Sequence, residues 1–164
     1  MNRKQRSQDE LQYASDHLYY EIGMFTNLAH GLASGMSGES VINNALLESY
    51  TIHARILLDF LYAERPKADD VIAEDFFDDP AKWRNAMPQK SEKVQFAHRR
   101  VGKEVAHLTY ARQDVTPETK PWPFIEIANE VNAVFAQFLH IVSLALLGSR
   151  WDGYKAERRV NESA

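Results

Sequence analysis

The chain has 164 residues, 45% hydrophobic and 26% charged, the composition of a globular protein with enough apolar material for one well-buried domain. It contains no cysteine, which excludes disulfides, thiolate zinc sites and a cysteine nucleophile. The net charge of −4 argues against general coating of nucleic acid, Met1 to Glu10 lacks the apolar core of a secretory leader, and the apolar window Phe135 to Leu147 is too short to span a bilayer. A cytoplasmic protein without a membrane role is therefore expected.

In chain order, the first helix is predicted from about Gln8 to Ala33, with Leu11, Leu18, Ile22, Phe25, Leu28 and Leu32 at helical spacing. Glycines at 31, 35 and 38 break it. A second helix follows from about Ser40 to Glu64, apolar almost all round and so expected to be central. Its remaining polar line is Glu48, Arg55, Asp59 and Tyr62, in which Arg55 and Asp59 have the i, i+4 spacing of an intrahelical ion pair. Residues 67 to 90 read as an irregular connection with a short helix opened by Asp79-Pro80 and carrying Trp83. A third helix is predicted over Ser91 to Gln113 and a fourth over Phe124 to Leu147, with prolines 117, 121 and 123 between them. Gly148 ends the fourth, and residues 148–164 read as a polar, partly disordered tail. The fold class is all-α, an antiparallel four-helix-type bundle over residues 1–147 with the irregular connection between helices two and three.

Charge patterning adds one local feature. Asp69, Asp70, Glu74, Asp75, Asp78 and Asp79 put six acids into eleven residues without a base. Such a run reads first as a solvated loop, and second as a partner for the basic third helix of the same or a neighbouring subunit. It lacks the glycine turn of a calcium-binding hand.

Metal chemistry finds little support. A di-iron bundle needs two Glu-x-x-His motifs, and Glu104-Val105-Ala106-His107 is the single one in the chain. No metal or other cofactor is expected. His53 shares a face with Leu46, Tyr50 and Leu57 and reads as a hydrogen-bonded core histidine.

The third helix carries two lines side by side. Val94, Ala97, Val101, Val105 and Leu108 suffice to bury it, whereas Lys93, Phe96, Arg100, Lys103, His107, Tyr110 and Asp114 form a polar line that core building does not need. Arg100 and His107, with six residues between them on an all-helical chain, resemble the Arg-x(4–6)-His motif of the HEPN superfamily of RNases. The stretches Leu46 to Arg55 and Lys103 to Arg112 are also similar to a group of bacterial proteins, and the resemblance covers about residues 40 to 147. It implies a homodimer that cuts RNA without metal in a toxin–antitoxin or defence setting. Arg100 would then steady the scissile phosphate, and His107 would act as general acid or base. Lys93 and Lys103 would add backbone contacts, with Phe96 and Tyr110 as stacking or interface residues. Val101, directly after the arginine, departs from the polar residue usual in catalytic members.

Two other functional classes fit the same residues. In one, the line through Lys93, Phe96, Lys103 and Tyr110 is the surface of a non-catalytic helical module that binds a second copy or another protein such as an antitoxin. In the other, Glu48, Arg55 and Asp59 mark a pocket that senses a small molecule or nucleotide. A purely structural arrangement would pair Arg100 with Glu104 one turn on.

Overall fold

A computed structural model describes residues 4–35, 40–101, 110–114, 116 and 121–163. The fold is all-α. Among the described residues its α-helices are α1 (Gln8–Ala33), α2 (Ser40–Leu61), α3 (Ala81–Ala86), α4 (Glu92–Arg100), α5 (Phe124–Ile141) and α6 (Asp152–Glu162), with short 3₁₀ turns in the connections after α2, α4 and α5.

α1 begins with a capping box: the Ser7 hydroxyl accepts from the Glu10 N–H, and the Glu10 carboxylate accepts from the Ser7 N–H. It packs antiparallel to α2, as the stacking of Phe25 on Tyr50 and the Glu21–His53 hydrogen bond fix. α5 lies against α1, and α4 bridges α2 and α5. The core centres on Phe60, Phe76, Trp83, Phe135 and Phe138, whose rings meet edge-on or tilted. Trp83 is fully buried, and its Nε1–H donates to the Leu61 carbonyl at 2.9 Å. The accepting oxygen is the last of α2, which ends at Leu61, three residues earlier than the sequence suggests.

The C-terminal end differs most from expectation. α5 stops at Ile141, not Leu147, because Val142 takes an extended conformation that turns the chain back over α1. Leu147 and Trp151 are then buried, and the indole N–H of Trp151 donates to the Ser15 carbonyl at 2.8 Å. The segment expected to be a disordered tail instead forms α6. Its polar side chains explain why: Arg158 donates to the carbonyls of Leu139 and Val142, both at 2.8 Å, and the Tyr154 hydroxyl donates to Leu139 at 2.9 Å. α6 thus satisfies the open carbonyls at the end of α5, with no apolar stripe to announce it.

The acidic run closes its own turns. Asp70 accepts from the Lys67 N–H at 2.6 Å, Asp79 from the Ala81 N–H at 2.9 Å, and Glu74 pairs with Arg84. These three bonds lie within the connection.

Among the described residues, no helix is long and apolar enough to cross a membrane.

Candidate functional site

α2 is apolar nearly all round, but it is covered on only part of its circumference. Tyr50, Ala54, Leu57, Leu58 and Leu61 are buried, whereas Val41, Ile52 and Ile56 are 74%, 55% and 40% exposed. This corrects the expectation of a fully central helix. At 100° per residue, Val41, Ala45, Ile52 and Ile56 fall within about 60° of one another, so they form a single seam. Tyr13 and Tyr20 on α1 are also exposed, and Tyr20 touches the ring of His53. His53 itself is buried, with Nδ1 at 2.5 Å from Glu21 Oε2, in the core position the sequence suggests.

The seam runs into a groove of about 740 Å³ between α1, the end of α2 and the loop after it. Ile56 and Val71 expose apolar surface in it, over a floor of buried Leu11, Leu18, Phe60 and Ile72. Four Arg or Lys and seven Asp or Glu side chains also line it, a formal excess of three negative charges. Two of these are Arg55 and Asp59, which form the expected ion pair, Nε to Oδ2 at 3.4 Å. Glu48, the third member of that polar set, is exposed on the same helix and does not line the groove.

Asp59 has a second partner that sequence reading missed. His98 on α4 reaches Asp59 Oδ1 through Nε2 at 3.0 Å. This hydrogen bond holds the Asp59 carboxyl below its usual range, against a smaller opposing effect of burial. Nearby, Lys90 bonds to Glu64 at 3.1 Å and lowers that carboxyl too. The pairing of Asp59 with His98 spans 39 residues, and no local pattern encodes it. The exposed Ile52 and Ile56 did have a signal. A helix apolar on every face requires a partner on every face.

Arg100 is only 5% exposed. Its guanidinium lies 4.2 Å from the Trp122 ring centre and 5.3 Å from that of Phe96, and it donates to the Pro121 carbonyl at 3.2 Å. It therefore pins α4 to the strand of chain leading into α5. Lys93, Phe96 and Tyr110 are exposed. Lys103 and His107 lie outside the described residues, as does Glu104. The structure thus brings Arg55 and Asp59 together, adds His98 to them, and places Arg100 elsewhere, among aromatic rings.

Among the described residues, no group of three or more His, Asp or Glu side chains is placed to hold a metal ion. Compared with protein-family models, curated proteins and solved structures, the chain matches none.

Proposed function

We propose that the chain is a helical interaction module that assembles with a second copy of itself through the exposed face of α2. The exposure of Val41, Ile52 and Ile56 along one line of an otherwise core-like helix carries this reading. Isolated apolar residues on a surface mean little, but an aligned set flanked by exposed tyrosines is the composition of an interface centre. The engaged guanidinium of Arg100 also weighs toward assembly over the endoribonuclease activity that the HEPN resemblance implies. A phosphate at that arginine has to compete with Trp122 and the Pro121 carbonyl.

Light scattering on eluting protein across a hundredfold concentration range tests the proposal. A mass of twice 18.8 kDa at the upper end supports it; a single-chain mass throughout overturns it. Incubating the same sample with labelled RNA in EDTA separates the two classes, since the module leaves the RNA intact.

A further inference from the structure

The seam on α2 and the groove at its end lie on one line, and this continuity suggests what fills the groove. Ala45, Ser49, Ile52 and Ile56 follow one another at spacings of 4, 3 and 4, with two small residues followed by two large ones. Beyond Ile56 the same line reaches Asp59 in the last turn of α2, and Ala63 follows just past its end; both line the groove. At the other end, residues 40–47 carry no charge, and Val41 and Ile42 are exposed there.

From this pattern we infer that the second copy lies antiparallel along α2, so that the first turn of its α2 enters the groove. The inference rests on the self-assembly proposed above and specifies its register. A two-fold axis between Ser49 and Ile52 sets each isoleucine against a small residue: Ile52 opposite Ser49 of the second copy, and Ile56 opposite Ala45 of the second copy. The same axis carries Val41 of the second copy over the Asp59 end of α2, to the mouth of the groove where Ile56 and Val71 are exposed. Parallel pairing would instead set isoleucine against isoleucine and Val41 against Val41, and leave the groove uncovered. Each copy thereby completes the other's groove, the uncharged first turn of α2 seated on its few exposed apolar residues within a charged rim. The rim has its own consequence. Because acids outnumber bases in the groove by three, the entering turn tolerates a cation at position 41 and rejects an anion.

The absence of cysteine makes a clean test available. Ala45→Cys and Ile56→Cys within one chain stand about 16 Å apart along the helix, too far for an internal disulfide. Mild oxidation of the full-length double variant is expected to give a covalent dimer, with neither single variant doing so. In parallel, Val41→Glu is expected to weaken association at least about tenfold relative to Val41→Lys, since like charges would be brought together. A wild-type dimer whose double-cysteine variant stays uncrosslinked, or whose affinity is equal for Val41→Glu and Val41→Lys, overturns this register while leaving self-assembly standing. A wild-type chain that remains monomeric overturns both.

Discussion

His98 Nε2 lies 3.0 Å from Asp59 Oδ1, so one hydrogen bond joins α4 to α2 at the margin of the groove. Because it favours the ionised carboxyl, the folded-state pKa of Asp59 is depressed. The sign of the pH effect follows. The stabilisation is fully present above the ordinary carboxylate value of about 4 and is lost as pH falls through the lower, folded value. In urea unfolding followed from neutral pH downward, Asp59→Asn should therefore lose less stability than wild type over the acid range. Asp59 is about half-exposed, so the difference should stay under about 1 kcal/mol.

Gly148 tests the junction between α1 and the C-terminal segment. Its N–H donates to the Ser15 hydroxyl at 2.7 Å, and a Cβ at this position would collide with the Asp16 carboxylate. Gly148→Ala is expected to cost about 1 kcal/mol, because the carboxylate can swing aside only by giving up its bond from the Arg150 N–H. Asp16→Ala should recover part of that loss, although it gives up the bond from the Arg150 N–H. A double-mutant cycle in chemical denaturant checks this, and strict additivity contradicts it.

Arg100→Lys probes the aromatic clamp. Lysine keeps the charge but loses the planar face on Trp122 and the reach to the Pro121 carbonyl, for an expected loss of about 1–2 kcal/mol. After Trp122→Ala, the same change should cost clearly less. Equal costs in both backgrounds would show that the stacking contributes nothing.

Trp83 closes the core beneath α2. Trp83→Ala should destabilise the chain by about 3–5 kcal/mol, because it empties a fully buried site and leaves the Leu61 carbonyl without its indole donor. Thermal unfolding followed by circular dichroism reads this directly.

Much of the architecture was legible in the chain. Leu11, Leu18 and Phe25 mark the buried face of α1 by period alone, and Asp79-Pro80 places the short helix that carries Trp83. What stayed hidden depends on contacts distant in sequence. α6 exists because Arg158 and Tyr154 meet carbonyls on α5, and polar-to-backbone bonds leave no apolar period to read. The candidate site was legible in half. Arg55 and Asp59 announce themselves by i, i+4 spacing, whereas His98 reaches them only through the packing of α4 on α2. Apolar residues all round α2 were read as a sign of burial, yet Ile52 and Ile56 are exposed among the described residues.

Ile52 sits on the exposed seam, so a charge there should leave folding intact while breaking the proposed assembly. Sedimentation equilibrium of the wild type beside Ile52→Asp therefore addresses the central claim most directly. The account predicts a wild-type dimer and a folded, monomeric variant with the same helical content. A monomeric wild type, or a variant that dimerises as tightly as wild type, would contradict it.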